Sequence, residues 1–464
     1  MPDLSNLLQP DRGQSARTIH LVDAKGFDAW LSAQPPRARA AAEAQKLNPT
    51  GYASAILPGD GAEDWSVVTV VANVEKLSPW CLAKLAETLP EGSYRVEGRE
   101  PGPAMYGWLT AQYRFDRYRK SDKASGPRVL LTGEPAKIDE TVRLAEVTFK
   151  VRDWINLGPN DLGPAELEAA AEEIAQAHGG TLTVTRGDEL ARGYPMIHAV
   201  GKAAGKGRDP RLIEIEWGDP SHPRIAIIGK GVVFDSGGLD IKPAAGMRLM
   251  KKDMGGAAHA LGLAELVMSR KLPVRLHMLV PAVENSVSGE SFRPGDVLQT
   301  RKGLTVENSN TDAEGRLILG DAITKAAEKD PELMLDFATL TGAARVALGA
   351  DLTGLFANSE GLAEELLAAA DAEADPAWRL PLWDPYDEML KSDVADMVNA
   401  AEGTPFGGAI TAALFLRRFV PEGVQWAHHD IFCWRQSPKP GRPKGADAVS
   451  LRATWKVLKD RYGG

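Results

Sequence analysis

Two stretches of the sequence concentrate side chains able to bind a cation. The first, Arg224-Ile-Ala-Ile-Ile-Gly-Lys230-Gly-Val-Val-Phe-Asp235-Ser-Gly-Gly-Leu-Asp-Ile-Lys242-Pro, reads as an apolar strand running into a glycine-rich loop. It sets two lysines and a carboxylate where a hydrophobic core gives way to a site mouth. Downstream, Met250-Lys-Lys-Asp253-Met-Gly-Gly places an acid at the start of an alanine-rich helix, and Asn310-Thr-Asp312-Ala-Glu314-Gly-Arg316-Leu does the same for a second helix. An acid at a helix start is often only a cap. Capping accounts for one acid per helix, and not for two acids, a glycine and an arginine packed immediately before Leu317.

Carboxylates converging on adjacent strand ends repel one another unless cations neutralise them. Oxygen donors suit magnesium, manganese and zinc. A ligating lysine must first lose its proton, so its pKa must fall well below the usual value of about 10.4. Two nearby divalent cations would supply that depression. Other site chemistries fit less well. There is no His-Glu-x-x-His, and the 8 histidines are dispersed except for His428-His429, which is expected to be structural rather than part of a zinc site. Asp235-Ser236-Gly237-Gly238 lacks the Gly-x-Ser-x-Gly frame of a nucleophile elbow. Gly201-Lys-Ala-Ala-Gly-Lys-Gly is too short for a phosphate-binding loop, and Gly229-Lys-Gly-Val-Val-Phe lacks the last glycine of a dinucleotide fingerprint.

The elements that must position these residues show in the alternation of apolar runs. Up to about residue 135, strand-like runs (Thr18–Val22, Ala53–Leu57, Ser66–Ala72, Val129–Thr132) alternate with helical stretches at Phe27–Leu47, Pro79–Leu89 and Ala104–Lys120. Helical spacing from Ile138 to Ile155, followed by the Gly, Pro, Asn and Asp of Asn156–Pro164, marks a joint between domains. Beyond it, strands are predicted at Arg211–Trp217, Arg224–Ile228, Val274–Val280, Leu333–Phe337 and Val424–Asp430. Helices fall between them, at Ala165–His178, Met254–Lys271, Arg316–Lys329 and Ala409–Val420. The expectation is an α/β protein with a smaller N-terminal α/β domain, residues 1–150, and a larger catalytic domain, residues 151–464. The latter has a mostly parallel central sheet flanked by helices, with the site at the carboxyl ends of its strands.

At this point the motifs resemble a family. Asn310-Thr-Asp-Ala-Glu-Gly-Arg-Leu317 is similar to the signature octapeptide of the leucyl (cytosol) aminopeptidases. Gly229–Gly238, Ile241–Pro243, Asp253–Ala258, Thr339–Ala343 and Gly407–Ala413 resemble that family in order and spacing. The resemblance implies a dinuclear metallo-aminopeptidase that releases N-terminal residues from peptides with a free amino terminus. Lys230, Asp235, Asp253 and Glu314 would hold one metal, and Asp235, Asp312 and Glu314 the other. Lys242 would stabilise the oxyanion, and Arg316 would hold a bicarbonate ion acting as base. Met250, Thr339 and Gly342 would line the pocket for the substrate's first side chain. A homohexamer is also implied. One departure bears on specificity: after Asp430-Ile the family usually has a small Ala-Gly pair, where this chain has Phe432-Cys433, so a preference for leucine does not carry over.

Composition agrees with an ordinary globular chain. Of its 464 residues, 44% are hydrophobic and 25% charged, which argues against disorder and against a membrane protein. Met1–Val22 lacks the pattern of a secretory signal, so a cytoplasmic location is the default expectation. Cys81 and Cys433 are too few for a disulfide framework and are expected as buried thiols. The alternative to an enzyme is a DNA-binding or regulatory protein on the same scaffold, using Arg114, Arg117, Arg119, Lys120 and Lys123. The first 150 residues balance 19 basic against 19 acidic side chains, and the net charge of the chain is −9, which opposes phosphate binding. Metals with a phosphoester substrate form a second alternative.

Overall fold

A computed structural model describes residues 3–61, 64–119, 126–401, 403 and 406–463. The chain divides into two compact units, Met1–Phe149 with Gln436–Lys444, and Lys150–Arg435 with Gly445–Gly464. The division falls inside the helix Ile138–Asn156. Expected with the larger domain, Gln436–Lys444 instead belongs to the smaller unit. There the Arg442 guanidinium lies 4.4 Å from the Trp80 ring and the Gly441 N–H donates to Glu87.

In the first unit, β1 (Leu8–Pro10), β2 (Arg17–Asp23), β3 (Ser54–Pro58), β4 (Trp65–Val71), β5 (Gly92–Val96) and β6 (Arg128–Thr132) form one sheet in the order β1-β6-β5-β2-β4-β3. Its pairings are parallel except for the edge pair β3 and β4. The helix predicted over Phe27–Leu47 is two helices, Phe27–Ala33 and Pro36–Ala44. Pro35 and Pro36 lack the N–H that would continue the first, and Pro36 suits the first position of the second. The stretch Ala104–Lys120 is helical only to Thr110. Gln112 leaves the helix to pair its side-chain amide with both backbone groups of Arg128. Of the basic cluster, Lys120 and Lys123 lie outside the described residues.

The second unit holds β7 (Thr181–Arg186), β8 (Arg211–Trp217), β9 (Arg224–Gly229), β10 (Gly231–Asp235), β11 (Arg275–Asn285), β12 (Val297–Gln299), β13 (Thr305–Glu307), β14 (Leu333–Ala338), β15 (Thr353–Ala357), β16 (Ala377–Arg379), β17 (Met397–Val398) and β18 (Gln425–Asp430). The main sheet runs β16-β15-β18-β14-β9-β11-β8-β7, with β10 added beside β11. Its centre, β18-β14-β9-β11, is parallel throughout, and antiparallel pairs join the outer strands on each side. This is the mixed but centrally parallel sheet expected of two-layered helical cover.

That cover is visible in burial. The helix Gly255–Ser269 is buried from Gly255 to Met268, and apart from His259 and Glu265 its buried residues are apolar or glycine. The helices Glu314–Ala327 and Gly408–Arg417 contribute Leu317, Ile318, Ala322, Leu414 and Phe415 to a core that includes Ile228, Met334 and Trp426 of the sheet. Val232 and Val233, read from sequence as loop, are fully buried, and this burial turns the glycine-rich segment into the short strand β10. Among the described residues no helix is long and apolar enough to cross a membrane.

Candidate metal centre

Parallel strands point their carboxyl ends to one edge, and there the charged residues gather. Lys230 follows β9 directly, Asp235 closes β10, Thr339 follows β14, and Asp235 sits in register with Asn285 at the end of β11. Asp253 precedes the helix Gly255–Ser269 and Asp312 precedes the helix opened by Glu314.

Lys230 Nζ lies 2.7 Å from Asp253 Oδ2 and 2.9 Å from Glu314 Oε1, and donates to the Thr339 carbonyl at 3.1 Å. Lys242 Nζ lies 2.8 Å from Asp235 Oδ2 and also pairs with Asp312. One oxygen from each of Asp235, Asp312 and Glu314 falls within a mutual 4.8 Å. Two local devices permit this crowding. Gly237 turns the chain at φ +88°, and its N–H, with Asn285 Nδ2, donates to Asp235 Oδ1 at 2.9 Å each. At Gly315 a Cβ would come 2.6 Å from Lys230 Cε, so the missing side chain is the space through which the lysine reaches Glu314.

The electrostatics are those of too many acids in one place. Burial, then the neighbouring Asp235, pushes Glu314 up to about 8 and Asp312 up to about 6. Asp253 moves the other way: burial would raise it, but Lys230 and Lys252 outweigh burial and lower it. Burial works against a charged Lys230 and Lys242 too, yet the surrounding carboxylates hold both above the ordinary lysine value. The depression expected of a ligating Lys230 is therefore not produced by the protein side chains alone and needs divalent charge.

The donor set fits such charge. Glu314 Oε2 is buried without a hydrogen-bond donor, and Asp253 Oδ2 meets only the Lys230 ammonium, at 2.7 Å. Hard oxygen atoms left unpaired in a buried site are what a divalent cation takes as ligands. Arg316, on the helix opened by Glu314, donates from Nη1 to the Asn399 carbonyl at 2.7 Å, while its buried Nε has no partner. Burial pushes its pKa down to about 10, against the pull of Glu314 and Asp430.

The three expected pocket residues are placed unequally. Thr339 is buried and its hydroxyl donates to Asp253 Oδ1 at 2.8 Å. Met250 opens the short turn Met250–Lys252 just ahead of Asp253 and is half-buried. Gly342 is exposed and begins the helix Gly342–Leu348. His428 and His429 lie in the sheet interior, His428 against Asp336 at 2.5 Å. Sequence reasoning missed Asn285, which orients Asp235, and Asn399, whose side chain binds the Asn308 side chain and the Asn310 carbonyl. Asn285 did carry a signal: it is a buried amide closing an apolar strand.

The profile for the catalytic domain of the cytosol aminopeptidase family matches residues 149–454, and the profile for the M17 aminopeptidase N-terminal domain matches residues 17–131. The chain belongs to the cytosol aminopeptidase family. A probable cytosol aminopeptidase of Roseiflexus castenholzii is 42% identical over 371 residues, covering 76% of this chain and 75% of the relative. One from Brucella melitensis is 36% identical over 96% of this chain and 91% of its own. The crystal structure of cytosol aminopeptidase from Coxiella burnetii superposes with a TM-score of 0.91 at 39% identity, over 98% of this chain and 99% of that one. The bottromycin maturation enzyme BotP in complex with Mn gives 0.81 at 29% identity, over 96% and 100%. As a cytosol aminopeptidase family member with both domains, the chain is a metal-dependent aminopeptidase, a peptide hydrolase whose family works with two metal ions.

Proposed function

We propose that Lys230, Asp235, Asp253 and Glu314 hold one divalent cation and Asp235, Asp312 and Glu314 the other, with Asp235 and Glu314 shared. The observation that carries this reading is the buried, donor-free Oε2 of Glu314 within a cluster of like charges. Zinc, manganese and magnesium suit these donors, and a relative is known with Mn. Bound there, such a pair of ions supplies Lewis acidity and makes water acidic enough to attack near neutral pH.

The protein's own residues do the rest. Asn285 and the Gly237 N–H fix Asp235 through Oδ1, leaving its other oxygen, which faces Lys242, as the one that would serve a shared cation. Lys242, held by Asp235 and Asp312, places a positive charge where negative charge develops on the scissile carbonyl oxygen. Arg316 would hold bicarbonate through its unpaired edge, and that anion supplies a proton acceptor that no side chain here provides. Met250, Thr339 and Gly342 receive the first side chain. The substrates are peptides with a free amino terminus. By family likeness, the protein works in the cytoplasm as a homohexamer.

The test is hydrolysis of aminoacyl-p-nitroanilides and their N-acetylated counterparts by metal-stripped protein, with zinc, manganese or magnesium restored. Metal-dependent cleavage confined to the free amines is expected. Equal cleavage of the acetylated compounds, or full turnover without metal, would overturn the assignment.

A further inference from the structure

Beside the site stand two cations that the proposed reaction does not use. Lys252, between Met250 and the expected ligand Asp253, is only 4% exposed. It pairs with no carboxylate among the described residues, and its Nζ instead rests 4.9 Å from the centre of the Phe432 ring. Asp253, its neighbour in sequence, directs its oxygens to Lys230 and Thr339. The guanidinium of Arg345, one turn beyond Gly342, lies 4.3 Å from the centre of the same ring. Two positive groups thus flank one aromatic side chain at the position where the sequence departs from the small residues usual in the family.

An aromatic face attracts a cation, but it compensates only part of the cost of taking an ammonium group out of water. Two cations on one ring also repel each other. What the arrangement lacks is an anion at the ring, and the residues assigned to the first side chain stand next to both cations, Met250 in the same short turn as Lys252 and Gly342 in the same helix as Arg345. Phe432 leaves less room there than alanine would for a branched aliphatic side chain. A carboxylate entering that pocket meets a buried donor with no competing partner.

We propose that Lys252, with Phe432 and Arg345 beside it, selects peptides whose first residue is acidic, glutamate or aspartate. This rests on the pocket assignment above. Lys252 and Arg345 act on the substrate's side chain and take no part in bond cleavage.

The experiment compares kcat/KM on glutamyl-, aspartyl-, leucyl- and lysyl-p-nitroanilides for the metal-loaded wild type and for Lys252→Met, Arg345→Ala and Met250→Ala. The wild type is expected to favour glutamyl over leucyl substrate. Lys252→Met lowers that ratio by about tenfold or more, well inside the 10⁴–10⁵ by which a site hydrogen-bonding a substrate group discriminates. Arg345→Ala, at an exposed position, lowers it less. Free glutamate should inhibit the wild type more strongly than free leucine, a measurement that needs no variant to fold. Preference for leucyl over glutamyl substrate, or an unchanged ratio in a folded Lys252→Met, overturns the proposal. If Met250→Ala still alters the choice among substrates in that case, the pocket assignment survives it. Cleavage of none of the four substrates overturns both.

Discussion

Two clusters of buried charge lie on the second unit's sheet, and they are built on opposite plans. In one, Asp336 on β14 meets His428 on β18 at 2.5 Å through Oδ1 and the Trp426 indole N–H at 2.8 Å through Oδ2. Burial alone would lower the His428 pKa, but Asp336 outweighs it and raises it, so acid and base stabilise each other. In the other, four carboxylates, Asp235, Asp253, Asp312 and Glu314, share two paired lysines, Lys230 and Lys242, and Glu314 Oε2 finds no donor. Asp235, Asp253 and Glu314 are nearly as buried as Asp336, while Asp312 is partly exposed. Each cluster leaves a buried atom without a partner, Glu314 Oε2 in one and His428 Nε2 in the other, so it is the excess of one sign that separates a site that awaits a ligand from a balanced acid–base pair.

The difference predicts opposite responses to losing an acid. Glu314→Ala removes a carboxylate that burial and Asp235 already disfavour, so the fold should persist while turnover drops on the order of 10³-fold or more. Circular dichroism, metal content and kcat together check this, and a variant that keeps full turnover would break the site assignment. Asp336→Ala does the reverse. It strands the Trp426 N–H and a histidine in the core, at a cost of about 3–5 kcal/mol by urea unfolding, while the folded fraction keeps its metal and its kcat. Loss of metal affinity in Asp336→Ala would mean that the two clusters are one system.

A smaller effect tests whether the crowding itself matters. Gly315→Ala puts a methyl group 2.6 Å from Lys230 Cε and 2.8 Å from its Nζ. The lysine, tied to Asp253 and Glu314, has to move off one of them. Activity should fall roughly 10–100-fold with Tm nearly unchanged, the range seen when partners that orient a site are disturbed. Unaltered kcat would show that Lys230 need not stand where it does.

The residues of the site were legible because most lie in two short stretches, 230–253 and 310–316, and the glycines between them announce tight turns. Of the central strands, β9 and β14 are largely apolar runs, and β8, β9, β14 and β18 were all placed within a residue or so of their observed bounds. What the sequence hides depends on partners far along the chain. Gln112 ends its helix for the sake of Arg128. Val232 and Val233 become strand only because β11 passes beside them. Asn399 reaches Asn310 across 89 residues, and the Phe432 ring meets Lys252 and Arg345 from separate elements. No local pattern records these pairings.

The last prediction concerns a member of the balanced acid–base region, where the comparison can be sharpened by pH. His429 is stacked on Phe337 with ring centres 4.4 Å apart, is bonded through Nδ1 to the Asp336 carbonyl, and has Thr454 at its other nitrogen. Burial pushes its pKa down to about 3, and the neighbouring His428 and His259 add to the depression. The unfolded chain therefore binds this proton more readily than the folded one between about pH 6.5 and 3. Stability from this group is fully present above the higher value and is lost as pH falls through that window. His429→Gln cannot take up the proton. Its unfolding free energy should be lower than the wild type's at pH 7. Between pH 6 and 4 it should fall less steeply, by up to ~1.4 kcal/mol per pH unit. Denaturant titrations at several pH values read that slope directly. Parallel slopes in the two proteins would show that protonation elsewhere, with the carboxylates around Glu314 as the first suspects, sets the acid limit of this fold.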